Sequence, residues 1–181
     1  LPFLETIFPY ADIKIIYLTR NPAASINGLY DGWLHRGFFS HNLRTFFKNQ
    51  DSGHGMLEIF GYSDRYEWGK WWWKYDLPWG WQDYAKKRLE EVCAFQWYSA
   101  NKNIHDYINN DGMRYCQVKY ENIVGNLELR FSEIEKIIDF IGIDKGIIKT
   151  LGLDKLPIIQ ATQSPQFYRW KKRKDIILPL L

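Results

Sequence analysis

The apolar residues of this chain form continuous runs in some places and helical repeats in others. Residues 13–18, IKIIYL, are apolar at nearly every position, which predicts a strand buried on both faces, as in a parallel sheet. Residues 114–120, RYCQVKY, predict a second strand. A helical repeat follows each strand, and residues 83–109 predict a long helix between them. This alternation favours an α/β fold in which helices flank a parallel sheet.

Capping residues mark the ends of the predicted helices. Asn21 suits a helix cap and Pro22 suits the first helical position after the first strand. Asn126 is a cap for the helix that follows the second strand, and Gly142 marks its end. The helices therefore begin within a few residues of the predicted strand ends, which is typical of α/β units.

Residues 35–81 break this pattern. They are rich in glycine, aromatic and charged residues with little periodicity, which predicts a long excursion with short helices. Six of the nine tryptophans lie in WGKWWWKYDLPWGW, residues 68–81. Because loops this long are usually functional, we expect a single domain over 1–181 with a Trp-rich excursion at 35–81.

Composition narrows the class of protein. Of the 181 residues, 46% are hydrophobic and 18% aromatic, enough for one globular domain with a real core. There is no run of 18 apolar residues, and no secretory signal or glycosylation sequon, so we expect a cytoplasmic protein without a transmembrane segment. The net charge of +3 gives no argument for a nucleic-acid partner. Cys93 and Cys116 are expected to serve packing, and no metal-ligand cluster is seen.

Arg20 stands at the junction of the first strand and its helix. Ligands of parallel sheets bind at the carboxyl ends of the strands, and a helix N-terminus offers free N–H groups and a positive dipole end. Arg20 beside such a terminus predicts a phosphate site. The alternative is an arginine paired with a surface carboxylate.

Two segments in sequence order resemble the sulfotransferases that use 3′-phosphoadenosine 5′-phosphosulfate (PAPS). KIIYLTRNP followed by a helix resembles their 3′-phosphate-binding segment, and RYCQVKYENIVGN followed by a helix ending IIDFIGI resembles a later strand, turn and helix. LPFLETIFPYA, residues 1–11, resembles the family's lead-in to the first of these, and FYRWKKRKDI resembles a late basic segment of bacterial members. The resemblance covers most of the chain outside 35–81, and it implies the P-loop nucleoside triphosphate hydrolase-like fold of that family.

The resemblance implies roles for particular residues. Arg20 would hold the donor's 3′-phosphate and Tyr120 would lie against the adenine. The family normally has a serine eight positions after the arginine, where this chain has Gly28, so Ser25 is the better substitute and Asn27 the other.

The tail and the tryptophans supply the remaining candidates. Lys171, Lys172 and Arg173 are expected to close over the phosphate, although a basic run is also typical of a solvated face. The four tryptophans expected to form an aromatic wall for a small-molecule, lipid or glycan acceptor are Trp72, Trp73, Trp79 and Trp81. The alternative is that they pack the excursion onto the domain.

Two expected parts of the family pattern do not occur in these residues. There is no P-loop-like turn to cradle the 5′-phosphosulfate and no assigned general base. We expect both to lie upstream of Leu1, on a segment that includes a central strand of the sheet. Without that strand, the chain would expose apolar sheet edges.

The implied reaction is sulfuryl transfer from PAPS to an acceptor hydroxyl or amine, with adenosine 3′,5′-bisphosphate as product and no metal required. Two alternatives stay open from the sequence. One is another P-loop-type transferase or kinase, which would prefer ATP. The other is a non-catalytic carbohydrate- or ligand-binding relative, including an inactive sulfotransferase with Gly28 in place of serine.

Overall fold

The computed structural model describes residues 2–35, 38–50, 55–63, 70–111, 114–156 and 166–181. The helices are α1 Pro2–Ile7, α2 Pro22–Leu34, α3 Leu43–Asn49, α4 Trp81–Tyr84, α5 Leu89–Asp111, α6 Tyr120–Gly125, α7 Leu127–Ile141 and α8 Lys174–Ile177. The strands are β1 Ile15–Thr19, β2 Phe38–Asn42, β3 Glu58–Ser63, β4 Trp72–Lys74 and β5 Tyr115–Lys119. Short 3-10 helices cover Lys145–Thr150, Arg169–Arg173 and Leu178–Leu180.

The chain divides into two compact units. The first comprises Leu1–Asn21 with Asn101–Ile159, and the second comprises Pro22–Ala100 with Gln160–Leu181. Each unit has its own sheet, so each is described separately.

The first unit contains a small parallel sheet flanked by helices, which confirms the predicted fold class at this level. β1 pairs with β5 in parallel, with Ile15 opposite Tyr115 and Thr19 opposite Lys119. α7 packs on β5, where the Cys116 thiol lies 3.9 Å from the carbonyl oxygen of Lys136. Both predicted strands are therefore present and adjacent, although one hundred residues separate them in sequence.

The prediction that β1 is buried on both faces is wrong. Ile16 and Leu18 share one face of the sheet with Cys116 and Val118, because residues in parallel register point the same way. Cys116 and Val118 are 6% and 0% exposed, whereas Ile16 and Leu18 are 45% and 52% exposed. The reason is coverage: α7 packs over the β5 half of this face, and the described part of the chain leaves the β1 half open.

α7 begins and ends as the sequence predicts. The Asn126 side chain accepts a hydrogen bond from the backbone N–H of Leu129 at 2.8 Å, which satisfies one of the free donors of the first turn. Gly142 ends the helix in the left-handed region, at φ +82°, where a side chain would be strained.

Residues 35–81 belong to the second unit and are more regular than predicted. Besides the short helix α3, the described part forms a three-stranded antiparallel sheet in the order β3-β2-β4. The expectation of an irregular excursion with short helices was wrong in this respect. β2 and β3 lack a clean alternation of apolar and polar residues, and a bulge between Phe39 and Ser40 further disturbs their pattern.

The long helix begins later than predicted. A separate turn of helix, α4, precedes α5, which starts at Leu89 instead of residue 83. The Glu91 carboxylate accepts a hydrogen bond from the backbone N–H of Arg88 at 3.1 Å, one half of a capping box. This bond marks Leu89 as the start of α5. The repeat of apolar residues that predicted the helix does not reveal such a bond.

Tryptophans form the core of the second unit. Trp33 and Trp73 are fully buried, with ring centroids 5.5 Å apart in an edge-to-face arrangement, and the Trp81 ring lies 5.7 Å from that of Trp73. The residues buried with them include Ala23, Ile26, Leu43, Ala85, Leu89, Val92, Cys93 and Ile177. Cys93 here and Cys116 in the first unit are both free and buried, in line with the packing role predicted for them.

One buried glutamine, Gln96, hydrogen-bonds three polar groups in this core. Gln96 accepts a hydrogen bond from the Trp33 indole N–H at 2.9 Å. Its amide group donates to the carbonyl oxygens of Lys74 at 2.9 Å and Asp76 at 3.1 Å. Since an unpaired buried indole or carbonyl costs about 1–3 kcal/mol, Gln96 allows tryptophans and a strand end to be buried together.

Tyr75 is held in a tight position just after β4. Its backbone φ of +64° lies in the left-handed region, and burial raises the pKa of its phenol to about 12, with smaller contributions from Cys93 and Asp31. A Cβ atom placed on Gly32 would lie 1.7 Å from the Tyr75 hydroxyl. The glycine in α2 is therefore required by the close approach of this hydroxyl.

We expect Gly32→Ala to lower the free energy of unfolding by about 1–3 kcal/mol, because the new methyl group overlaps the Tyr75 hydroxyl. Adding Tyr75→Phe should recover part of this loss, since it removes the overlapping oxygen. Urea unfolding would measure both. Gly125→Ala, whose Cβ would meet nothing within 4 Å, is the control and should be neutral or slightly stabilising. A Gly32→Ala protein as stable as wild type would contradict the close contact.

Candidate functional site

The carboxyl edge of the parallel sheet brings together the two residues that the resemblance assigned to one ligand. Arg20 follows directly after β1, and Tyr120 follows directly after β5 as the first residue of α6. Because Thr19 and Lys119 are register partners, the next residue of each strand emerges at the same edge. The guanidinium carbon of Arg20 lies 4.6 Å from the centroid of the Tyr120 ring.

Two hydrogen bonds hold this edge together. The backbone N–H of Asn21 donates to a carboxylate oxygen of Glu121 at 2.8 Å, and the Thr19 hydroxyl donates to the carbonyl oxygen of Val118 at 3.2 Å. Each bond joins the end of β1 to the end of β5. The position of Arg20 relative to Tyr120 is thus fixed by backbone and short side chains on both sides.

The electrostatics of the edge suit an anion. Arg20 is exposed, and a guanidinium that stacks on a ring keeps its N–H donors in its own plane, directed away from the ring. Such donors match the oxygens of a phosphate or carboxylate. Glu121 brings a negative charge to the same edge, but one of its carboxylate oxygens is engaged by the Asn21 amide.

A second layer of polar contacts supports α6. Asn122, expected to be a turn former, donates through its side-chain amide to Glu133 at 2.7 Å. Lys136 lies 2.9 Å from the other Glu133 oxygen and also donates to the carbonyl oxygen of Gln117 on β5 at 2.8 Å. Burial works against the charged form of Glu133, but the hydrogen bonds from Lys136 and Asn122 outweigh it and hold the pKa below its ordinary value.

The second unit contains a different ionic cluster. Asp31 on α2 is 5% exposed, and its carboxylate binds both Arg169 and Arg173, the latter at 2.8 Å. Arg173 also donates to the side-chain oxygen of Asn27 at 2.6 Å and lies over the Tyr30 ring at 4.5 Å. The cluster ties the basic tail to α2.

The other predicted donor-binding residues of the second unit lie on α2 and the tail. Ser25 and Gly28 are half-buried on α2. Lys171 and Lys172 are exposed, and the Lys171 ammonium lies 4.7 Å from the centroid of the Tyr168 ring. The structure thus separates the predicted tail cations: Arg173 is paired inward, and the two lysines face solvent.

The four tryptophans predicted as an acceptor wall have unequal exposure. Trp72, Trp73 and Trp81 are 6%, 0% and 6% exposed and belong to the core. Trp79 is 99% exposed, at the tip of a turn closed by a hydrogen bond from the backbone N–H of Trp81 to the carbonyl oxygen of Pro78 at 2.9 Å. Of the four, Trp79 presents its ring to solvent. Trp68, in the same sequence cluster, lies outside the described residues.

Sequence reasoning missed the buried charges. Asp31 lies within an apolar helical repeat, and Arg130 in α7 was not singled out. Arg130 is 8% exposed and donates to the carbonyl oxygens of Ile123 at 2.6 Å and Asp154 at 3.3 Å. The sequence signal that could have found them is a charged residue between apolar neighbours in a helix. Such a residue is often buried, and a buried charge must be paired.

Comparisons with known proteins, and searches for a metal site and a membrane-spanning helix, do not assign a function to the chain. No protein-family model, curated protein or solved structure matches the chain. Within the described ranges, no group of three or more His, Cys, Asp and Glu side chains is arranged to hold a metal ion. None of the helices described is both long enough and apolar enough to cross a membrane.

We expect Glu133→Gln to lower the free energy of unfolding by about 1–3 kcal/mol at neutral pH, because the contacts from Lys136 and Asn122 lose their charged acceptor. The folded-state pKa of Glu133 is lowered, so its contribution is complete above the ordinary glutamate pKa of about 4.3 and is lost as the pH falls through the folded value. The difference between wild type and variant should therefore shrink below about pH 4.3.

Thermal unfolding at several pH values would measure this difference. Glu135→Gln, an exposed position on the same helix, is the matched control and should change stability little at any pH. A Glu133→Gln effect that stays constant from neutral to acid pH would show that its charge does not matter.

Proposed function

We propose that this chain carries the donor-binding residues of a PAPS-dependent sulfotransferase, which transfers a sulfuryl group to an acceptor hydroxyl or amine. The observation that carries the proposal is the meeting of Arg20 and Tyr120 at the carboxyl edge of β1 and β5. The sequence resemblance implies that both residues bind the donor nucleotide.

The chemistry of the edge fits a nucleotide bearing a 3′-phosphate. The Arg20 donors would hold the phosphate and the Tyr120 ring would lie against the adenine. An exposed cation–π contact is worth about 0.5–1 kcal/mol, whereas a hydrogen bond to a charged group is worth about 1.5–3 kcal/mol. Arg20 therefore gains by leaving the ring for a phosphate, and the ring becomes available to the base.

The chain's own residues would act mainly by positioning and by charge. Bound PAPS supplies the activated sulfuryl group. Arg20 neutralises part of the negative charge of the nucleotide, and the Asn21–Glu121 bond keeps the start of the following helix in place. The acceptor's proton must pass to a base, and the proposal assigns that role to no residue of this chain.

The exposed face of β1 supports the proposal that the parallel sheet belongs to a P-loop-like fold with further strands. Parallel sheets are normally buried on both faces and contain more than two strands, yet Ile16 and Leu18 are about half exposed. A further strand beside β1, carrying the P-loop-like turn, would extend the sheet and bring covering structure over these side chains. This arrangement is the P-loop-like sheet of the sulfotransferase fold.

We expect adenosine 3′,5′-bisphosphate to bind the protein and Arg20→Ala to weaken that binding by about tenfold or more, because a charge-assisted hydrogen bond to phosphate is lost. Tyr120→Ala should also weaken binding, while Tyr120→Phe, which keeps the ring, should not. Isothermal titration calorimetry would measure all of these dissociation constants.

Arg114→Ala is the matched control, since Arg114 is an exposed arginine at the opposite end of β5. Equal losses from Arg20→Ala and Arg114→Ala would indicate general charge attraction and contradict a site at the carboxyl edge. Tighter binding of ATP than of the bisphosphate would favour the kinase alternative. Binding of a glycan with no response to either nucleotide would favour a carbohydrate-binding relative, for which the exposed ring of Trp79 is the natural candidate.

We expect Leu18→Lys to change the stability of the 181-residue chain by less than about 0.5 kcal/mol, because the side chain is already half exposed. In a longer chain that carries the proposed strand beside β1, the same change should destabilise by about 2–5 kcal/mol, as for a core position. Urea unfolding midpoints of both chains give the comparison. Ile59→Lys, at a position 69% exposed in the second unit, is the control. Equal, small effects of Leu18→Lys in both chains would argue against a strand beside β1.

A further inference from the structure

The C-terminal segment, residues 166–181, is firmly attached to the second unit on its inner side. Ile177 is fully buried in the tryptophan core. Arg169 and Arg173 bind the buried carboxylate of Asp31. The segment is therefore a fixed part of the surface, with a backbone that is helical almost throughout residues 169–180.

The outer side of the C-terminal segment combines lysines with leucines. Lys171, Lys172 and Lys174 are exposed, and Leu178 and Leu181 are 50% and 60% exposed. Lys171 and Lys172 belong to the 3-10 helix Arg169–Arg173, Lys174 begins α8, and Leu178 begins the last 3-10 helix. Exposed lysine and leucine side chains therefore follow one another within eleven residues of the chain.

Two aromatic residues extend this outer side. Phe167 and Tyr168 are 60% and 66% exposed. Tyr168 has a left-handed backbone, at φ +57°, and its ring lies under the Lys171 ammonium at 4.7 Å. A non-glycine residue in this region is uncommon and is held there by its surroundings.

We propose that the outer side of the C-terminal segment docks on a membrane surface that contains anionic lipids. The lysine ammonium groups would contact lipid phosphates and carboxylates, while the leucines and aromatic rings enter the shallow interfacial region. Long lysine side chains can bury their methylene groups beside the leucines and keep the charge at the headgroup level. In residues 166–181 the one acidic side chain is Asp175, so the segment is strongly basic.

The mixture of groups favours a lipid surface over an acidic protein or a free nucleotide. The lysines alone would be enough to bind an acidic protein. The exposed apolar side chains of Leu178, Leu181 and Phe167 would gain nothing from a purely ionic contact, but they would gain from entering a lipid interface. The proposal is independent of sulfuryl transfer. It assigns Lys171 and Lys172 to lipid phosphates, whereas the sequence predicted that they close over the donor's phosphate.

Sedimentation with lipid vesicles tests the proposal directly. We expect the protein to sediment with phosphatidylcholine vesicles containing about one-third phosphatidylserine and to stay in solution with pure phosphatidylcholine, since each lysine contributes about a fivefold gain in partitioning near an anionic surface. High salt should reduce the binding. Equal binding to both vesicles, or binding to neither, would overturn the proposal.

Variants then locate the surface. The combined change Lys171→Glu, Lys172→Glu and Lys174→Glu should reduce partitioning by about a hundredfold or more. Leu178→Ser with Leu181→Ser should reduce it by about tenfold with the charge unchanged. The charge-matched control, Lys48→Glu, Lys87→Glu and Lys155→Glu, changes three exposed lysines elsewhere and should have a much smaller effect. Circular dichroism establishes that each variant is folded, and a control as damaging as the segment variant would overturn the assignment.

A competition separates lipid from nucleotide. Excess adenosine 3′,5′-bisphosphate should leave vesicle binding unchanged. Release of the protein from the vesicles by the bisphosphate would overturn the proposal and place the lysines at the donor instead. Vesicle binding that persists after the leucine changes but is abolished by salt would show a purely ionic contact and would likewise overturn it.

Discussion

The parallel pairing of β1 with β5 is the interaction on which the proposed site depends. Neither Arg20 nor Tyr120 is buried in a core, and one hundred residues separate them. The backbone ladder places both at the same edge, and the bonds from Asn21 to Glu121 and from Thr19 to Val118 close the ends of the two strands. The side chains that would meet a nucleotide are therefore positioned mostly by main-chain geometry. Substitutions at the edge can change chemistry while leaving the scaffold intact.

The elements that sequence predicts well are those whose signals are local. The strand runs, the Asn126 cap and the Gly142 helix end were all predictable, because each depends on the residue itself and its near neighbours. The alternation of strands and helices predicted a parallel sheet, but the adjacency of β1 and β5 is known from the structure alone. The start of α5 was misplaced, since it depends on a side-chain bond from Glu91 that a hydrophobic repeat does not reveal.

What sequence could not supply is the set of partners that only tertiary structure brings together. The exposure of Ile16 and Leu18 depends on which elements pack over β1. A run of apolar residues in the sequence does not show whether such packing exists. Asp31 finds its two arginines 138 and 142 residues away, so no local pattern could pair them. The antiparallel sheet of the second unit was missed because its strands mix aromatic and polar residues without a clear alternation. The bonds of Gln96 to Trp33 on α2 and Lys74 on β4 likewise join residues far apart in sequence.

The same strand pairing has a consequence for how the chain reaches its native state. β1 has no strand partner among the described residues except β5, so it must wait until roughly 100 more residues have been made, which takes about 5–20 s at ribosomal speed. During that interval the edge of β1 that pairs with β5 is open. Contacts this distant in sequence also slow folding after release, because the loop must close before the ladder can form. The open strand edge of residues 15–19 before β5 is made is therefore where mispairing with another strand would begin.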